Sequence, residues 1–555
     1  MTTRILTVAG ALALVWTAAP GCGGGAADSG SGGGNTSFGG AQDIGQFRGI
    51  LDGGGIPGAE TLDANGFMNE HYIELPPADC GQPLCGQAMV SVGADWLTGD
   101  YQAVLQVALN TPIDPTTLER PPLDLVVVVD TSGSMASDDR IDFARQGLDL
   151  LVDQMQEGDR LALVRYSSGV QVLSGLGEST PAELHQMIAG LRADGSTNFY
   201  GGLETGFQIA EAARDPERQS RVILLSDGQP TAGNTNESSI VNMADGYIGE
   251  AIGLTTIGVG RDFNVGLMRG LAERGAGNFY FLEDASAIAE VFTDELDYFS
   301  WPLALGVSIE VEAGPSYGLG EVIGTRLWQT EGAVGKVQLP AVFLASRTSS
   351  TPDPNGRRGG GSTLFVRLQP NSAGTSIDPQ KVASIRLRYR DAQTGEALAQ
   401  DIDVTSPTDP GVTPEEAWFS HQAMAKNYAA YNAFLGLRAA AEAAASDYDC
   451  ALSVLDQIGA ATRAWQMQYE DPDLDANLAL IDQFSANLRA QGAWTSDGDA
   501  PLAACSPDYN PNDRPPYGDD VYYDGACSVG RGQGAGGSLL AIGLALVLAA
   551  RRRRR

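Results

Sequence analysis

Val126-Val127-Val128-Val129-Asp130-Thr131-Ser132-Gly133-Ser134 joins an unbroken β-branched run to a short polar turn. A strand with one wet face alternates apolar and polar residues. A run without alternation is what a strand buried on both faces of a parallel sheet carries. Downstream, Arg140 to Met155 sets Ile141, Phe143, Ala144, Leu148, Leu151 and Val152 at helical spacing. Strands over Leu161 to Tyr166 and Val170 to Leu173 precede helices over Pro181 to Leu191 and Tyr200 to Ala213. Val222 to Leu225 is the next buried strand, followed by a helix over 238–251 and a strand over Leu254 to Val259. A helix over Asn264 to Arg274, a strand over Phe279 to Leu282 and a closing helix over Ala285 to Phe299 complete the pattern. Strands and helices alternating at this pitch predict an α/β domain over residues 120–300, with a doubly wound, mostly parallel sheet.

In open α/β sheets ligands bind at the carboxyl ends of strands, where the strand order reverses. Asp130, Ser132 and Ser134 directly follow the Val run. Thr197 lies in the loop Gly195-Ser196-Thr197-Asn198, and Asp227 follows the Val222 to Leu225 strand. These two carboxylates and three hydroxyls are all hard oxygen donors, which suit Mg2+, Mn2+ or Ca2+ over zinc or copper. Neutral hydroxyls leave such an ion under-neutralised, and so attractive to a carboxylate from outside. Taken alone, Asp-Thr-Ser-Gly-Ser is a turn and helix cap.

The chain order and spacing of Asp130-x-Ser132-x-Ser134, Thr197 and Asp227 resemble the metal-ion-dependent adhesion site of von Willebrand factor A domains. The resemblance implies a Rossmann-like fold. It further implies that both serines, and the threonine when ligand is bound, contact Mg2+ (or Mn2+ or Ca2+), while the aspartates act through water. An Asp or Glu carboxylate of a protein partner would take the sixth position. Asn35-Thr36-Ser37-Phe38, Gly55-Ile56-Pro57, Asn69 to Tyr72 and Lys381 to Asp391 are similar to flanking segments of the YfbK-like group of bacterial proteins.

Rival chemistry finds little footing, and no enzyme activity is expected. A phosphatase of the haloacid-dehalogenase type needs an acid where Ser132 stands. Gly356 to Thr363 lacks the Lys-Ser/Thr ending of a phosphate loop and reads as a flexible hairpin. The three histidines, His71, His185 and His421, form no zinc-protease motif, and no Gly-x-Ser-x-Gly elbow occurs. Asp471-x-Asp473-x-Asp475 echoes a calcium loop, but Ala476 replaces the needed Gly, and Pro472 suits a helix start.

The chain has 555 residues, with 35 Lys+Arg against 69 Asp+Glu. Such an acidic surface repels phosphate backbones and excludes nucleic acid as a partner. Residues 1–22 read as an export signal that ends in a lipobox-like Ala19-Pro20-Gly21-Cys22, with ordinary signal cleavage as the alternative. A Gly/Ser-rich tether (23–40) and an N-terminal accessory region (41–119) precede the α/β domain. After it come a β-rich accessory domain of sandwich type (301–412), an Ala-rich helical region of two or three helices (413–492) and an acidic Pro/Gly-rich stalk (493–537). The tail 538–555 joins twelve mostly apolar residues, Leu539 to Ala550, to five arginines. As a helix those twelve span about 18 Å, short of a ~30 Å hydrocarbon core. Cys527, the short helix and the arginines resemble the myxobacterial C-terminal sorting signal (MYXO-CTERM), with a permanent membrane anchor as the alternative. Of the remaining cysteines, Cys80 pairs with Cys85 and Cys450 with Cys505 if the compartment is oxidising, zinc being the competing reading.

The expectation is therefore an exported protein of the cell envelope or outer-membrane surface, associated with the membrane through its termini. It would capture an acidic partner through a metal. The alternative is an envelope structural or assembly factor in which the metal only stabilises the domain.

Overall fold

The computed structural model describes residues 34–37, 39–41, 44–114, 121–215, 217–227, 229–248, 252–260, 263–282, 301–344, 363–371 and 380–494. The chain opens with β1 (Gly34–Ser37), β2 (Gly40–Ala41), α1 (Gly45–Asp52), α2 (Ala64–Asn69), β3 (Cys85–Ala94) and β4 (Tyr101–Thr111). Alternation then sets in: β5 (Leu123–Asp130), α3 (Arg140–Asp153), β6 (Arg160–Tyr166), β7 (Val170–Ser174), α4 (Pro181–Ala189), α5 (Phe199–Ala212) and β8 (Gln219–Ser226). It continues through α6 (Glu237–Ile248), β9 (Gly253–Val259), α7 (Val265–Arg274) and β10 (Asn278–Leu282). A run of strands follows: β11 (Pro302–Ala313), β12 (Tyr317–Ile323), β13 (Gln329–Glu331), β14 (Val334–Leu344), β15 (Thr363–Pro370), β16 (Gln380–Asp391), β17 (Ala397–Ser406) and β18 (Trp418–Phe419). Three helices close the described chain: α8 (Ala423–Ala444), α9 (Tyr448–Tyr469) and α10 (Pro472–Ala490).

The first sheet runs β2-β10-β9-β8-β5-β6-β7. Its pairs are parallel except β6 with β7. The valine run explains why β5 is central. Val126 and Val128 pack with Phe199, Leu203 and Phe207 of α5 on one face. Val127 and Val129 pack with Leu148 and Leu151 of α3 and Leu184 and Ile188 of α4 on the other. Each such side chain stabilises the fold by about 1.5–3 kcal/mol relative to exposure. The turn into α4 is equally explicit in sequence: Thr180 caps it, Glu183 completes a capping box, and Pro181 takes the first helical position. From β5 the chain steps to β6 on one side and later returns to β8 on the other, so the strand order reverses beside β5 and opens a crevice at its carboxyl end.

The second sheet is antiparallel, in the order β12-β15-β4-β1-β14-β11-β16-β17, with β3 and β18 extending from β4 and β13 from β14. Its two halves meet through β1, which pairs with β4 on one side and β14 on the other. They share an apolar cluster in which Leu105, Val107 and Val366 meet Val307, Val337 and Ile385. The alternate residues Met89, Val104 and Phe365 point the other way, into a core built with α1, α2, α8, α9 and α10. Strands from the stretch expected as a separate N-terminal region and from the expected β-domain thus share one sheet, while residues 123–282 between them form the parallel-sheet unit.

Cys80 and Cys85 form a disulfide. Cys450 is buried in the first turn of α9. Cys22, Cys505 and Cys527 lie outside the described residues, as do the stalk from residue 495 on, both termini, the hairpin residues 356–362 and the closing helix expected over Ala285 to Phe299. Among the described residues no helix is long and apolar enough to cross a membrane. Asp471 caps α10, with Pro472 in its first turn, and both Asp471 and Asp473 pair with Lys426, so the acidic run serves a helix start.

Candidate metal centre

Asp130 is the last residue of β5 and turns its carboxylate into the crevice. One oxygen accepts from the Ser132 amide at 2.8 Å; the other accepts from the Ser226 hydroxyl at 2.8 Å and the Tyr166 hydroxyl at 3.3 Å. The backbone then makes a tight turn through Gly133–Ala136, which points Ser132 and Ser134 the same way. Their hydroxyls lie 3.0 Å apart, and Ser134 donates to Asp227 Oδ1 at 2.9 Å. Asp227 follows the end of β8, next to β5. Ser132, Ser134 and Asp227 therefore form one chain of oxygen atoms at the carboxyl ends of two adjacent central strands, and Asp130 joins it through the Ser132 amide.

Thr197 reaches the same crevice by backbone. The Gly133 amide donates to Gly195 O at 3.0 Å, and the Asp194 amide donates to Thr131 O at 2.7 Å. The Thr197 amide donates to Thr231 Oγ1 at 2.9 Å, and its carbonyl accepts from the Thr231 and Ala232 amides. Among the described residues, no hydrogen bond joins its hydroxyl to the other four side chains. Three residues of the site escaped the reading of the sequence. Ser226 and Tyr166 were visible only as strand ends, yet both hold Asp130. Arg140, visible only as a helix start, donates from Nη1 to Asp227 Oδ2 at 3.0 Å.

Burial pushes the Asp130 carboxyl up to about 6, with the neighbouring Asp227 charge adding to the effect and the bonds from Ser132 and Ser226 opposing it. Burial also raises the Tyr166 phenol, and the Asp130 charge adds to that. A carboxylate raised in this way is a buried negative charge short of a counter-ion. Among the described residues no group of three or more His, Cys, Asp or Glu side chains stands close enough to hold a metal, so a cation here would have to use hydroxyl oxygens. The donor set of two carboxylates and three hydroxyls fits a hard divalent cation. The histidines stand apart: His71 faces Asn477, His185 pairs with Asp149 and Asp153 on α3, and His421 accepts from the Ala423 amide.

Residues 125–229 match the von Willebrand factor type A domain. All five candidate residues fall within that A domain, and the fold around them is of its type: a mostly parallel central sheet, with additional β-structure and C-terminal helices. Protein YfbK of Escherichia coli is 32% identical over 201 residues, covering 36% of this chain and 35% of YfbK. Inter-alpha-trypsin inhibitor heavy chain H3 of Rattus norvegicus is 28% identical over 239 residues, covering 39% of this chain and 26% of that protein. The chain thus spans about a third or less of the length of these relatives. Among solved structures, a von Willebrand factor type A protein from Catenulispora acidiphila superposes with a TM-score of 0.45 at 15% identity, covering 75% of this chain and 91% of that one.

Proposed function

We propose that the A domain is a protein-interaction module that captures an acidic group of a partner through a divalent cation (Mg2+, or Mn2+ or Ca2+) held by Asp130, Ser132, Ser134, Thr197 and Asp227. The observation that supports this best is the continuous chain of oxygen atoms from Ser132 through Ser134 to Asp227 beside the buried Asp130 carboxylate. Such a site supplies charge and hard donors but too few anionic ligands to satisfy a divalent ion, so a partner's carboxylate completes it. The Cys80–Cys85 disulfide and the export-type N-terminus support a location outside the cytoplasm, at the cell envelope.

Calorimetric titration with Mg2+ and Mn2+, followed by pull-down from envelope extract with and without chelator, tests this reading. Metal uptake and capture should both disappear in Asp130→Ala while the far-ultraviolet circular dichroism is retained. Capture that survives both chelation and Asp130→Ala contradicts the metal-bridged mechanism. Metal-dependent melting without metal-dependent capture assigns the chain to structural or assembly work in the envelope.

A further inference from the structure

Arg140 opens α3, and its side chain turns inward: the residue is only 6% exposed. Nη1 donates to Asp227 Oδ2 at 3.0 Å, and Nη2 reaches Asp138 Oδ2 at 3.3 Å. Two features of the backbone make this placement possible. Asp138 and Asp139 both hold positive φ, at 51° and 57°, a left-handed pair that side chains disfavour and that swings the helix start over the crevice. Gly260, just beyond β9, has φ +83°, and a Cβ there would lie 2.5 Å from Arg140 Nε. The chain thus keeps open, with a glycine, the room that the guanidinium fills. The two oxygens of Asp227 are divided, with Oδ1 toward the Ser134 hydroxyl and Oδ2 toward Arg140.

We infer that Arg140 is a built-in counter-charge that makes the metal site weak for the ion alone and selective for an anionic ligand group. The inference rests on the metal reading proposed above. Asp130 and Asp227 carry two negative charges between them, and Arg140 cancels one. A divalent cation seated there is therefore neutralised by one charge less than it would be without Arg140. Asp138 does not restore the balance, because its side chain is 80% exposed and screened by water. The charge left unneutralised sits in a partly desolvated crevice, where a ligand carboxylate gains most from it. Arg140 touches neither metal nor ligand in this scheme; it is a positioning residue that sets orientation and charge through Asp227.

The test uses the full chain, the Arg140→Gln and Arg140→Lys variants, and two readouts. The first is the Mg2+ dissociation constant from calorimetry. The second is water-proton relaxation of the Mn2+-loaded protein, titrated with acetate as a carboxylate probe. Arg140→Gln should bind Mg2+ at least about tenfold more tightly and require at least about tenfold more acetate to displace metal-bound water, the opposed signs marking a charge effect. Arg140→Lys, which keeps the charge, should remain within about threefold of wild type on both. A general loss of structure would weaken both readouts together, so weaker or unchanged Mg2+ binding in Arg140→Gln overturns the inference. So does equal tightening of Mg2+ in Arg140→Lys. The wild-type chain offers a check that needs no variant: acetate, but not neutral acetamide, should displace the water, and equal displacement by both overturns the inference. Failure of wild type to take up Mg2+ or Mn2+ at all is a different result, and it removes the metal reading itself.

Discussion

Arg269 of α7 donates from Nη1 to Asp63 Oδ2 at 2.7 Å and so ties the A domain to the segment that leads into α2. Both residues are buried, and Asp63 Oδ1 at the same time caps α2 by accepting from the Asn65 and Gly66 amides. Burial works to raise the Asp63 carboxyl, but the Arg269 and Arg326 guanidinia outweigh it and hold the group below the usual carboxylate range. Arg269→Met would leave Asp63 with Arg326 alone, at 3.4 Å. Removing one partner of a buried pair costs about 3–5 kcal/mol, because the remaining charge stays desolvated. Urea unfolding should show a loss of that size; a loss below about 1 kcal/mol would mean that Arg326 alone satisfies Asp63.

His71 gives a pH dependence of definite sign. Its Nδ1 lies 2.6 Å from Phe67 O, which can only accept, so Nδ1 carries the proton. Nε2 of the neutral ring can then only accept, and the atom placed 3.0 Å from it is Asn477 Oδ1, which also only accepts, so oxygen and nitrogen of that amide must exchange places. The amide serves a neutral ring when its NH2 group turns toward Nε2, and that nitrogen is buried without another partner. Burial lowers the His71 pKa; Asp473 opposes this and Lys426 adds to it. A histidine whose folded pKa lies below its unfolded value contributes stability that is fully present above about pH 6.5 and is lost as the pH falls through 6.5 toward the folded pKa. The stability difference between wild type and His71→Gln, from urea melts, should therefore shrink between pH 7.5 and pH 5.5. A difference that is constant, or that grows on acidification, would show the ring to be protonated in the native state.

These two residues also mark where sequence reading stops. The parallel sheet was legible because a strand buried on both faces leaves a run such as Val126 to Val129, and helices keep their period in residues such as Leu148 and Leu151. The oxygen donors were legible because the turn after β5 and the end of β8 carry a fixed local grammar. Non-local pairing leaves no such trace. Gly34–Ser37 has no apolar alternation, yet it is the strand that joins the two halves of the antiparallel sheet. Arg140, Tyr166 and Ser226 acquire their roles only when β5, β6 and β8 align, since each touches a carboxylate from another element. Which buried partner a polar residue meets depends on the tertiary fold and not on its neighbours in the chain.

Gly436 in α8 sets the spacing to α9. A Cβ at that position would lie 2.3 Å from Ile458 Cγ2 and 3.0 Å from Ile458 Cβ. Gly436→Ala has two opposing effects. Helix propensity favours Ala by about 1 kcal/mol in a helix interior. Overpacking a filled core costs about 1–3 kcal/mol, and Ile458 is fully buried and branched close to the backbone, so it has little room to yield. The clash should win, and the melting temperature should fall. Ile458→Ala in the Gly436→Ala background should recover part of the loss that the single variants would sum to. Strict additivity of the two would show that the helices move apart instead of clashing.

Trp494, near the end of the described chain, donates from its amide to Asp449 Oδ1 at 2.7 Å, one residue before the buried Cys450. Trp494 therefore lies beside the first turn of α9. Cys505 follows eleven residues later, and an extended chain gains at most about 3.3–3.6 Å per residue, far more reach than a disulfide's Cα separation of about 4.4–6.8 Å needs. The expected Cys450–Cys505 bridge is thus compatible with the position of Trp494. Peptide mapping of protein isolated without reductant should recover Cys450 joined to Cys505, and Cys450→Ser should lower stability by roughly 2–4 kcal/mol. Alkylation of Cys450 under denaturing, non-reducing conditions would count against the bridge. The size of the stability loss then separates the cross-link from packing: if Cys450→Ala costs no more in oxidised than in reduced protein, the sulfur contributes only as a small apolar group in the core of α9.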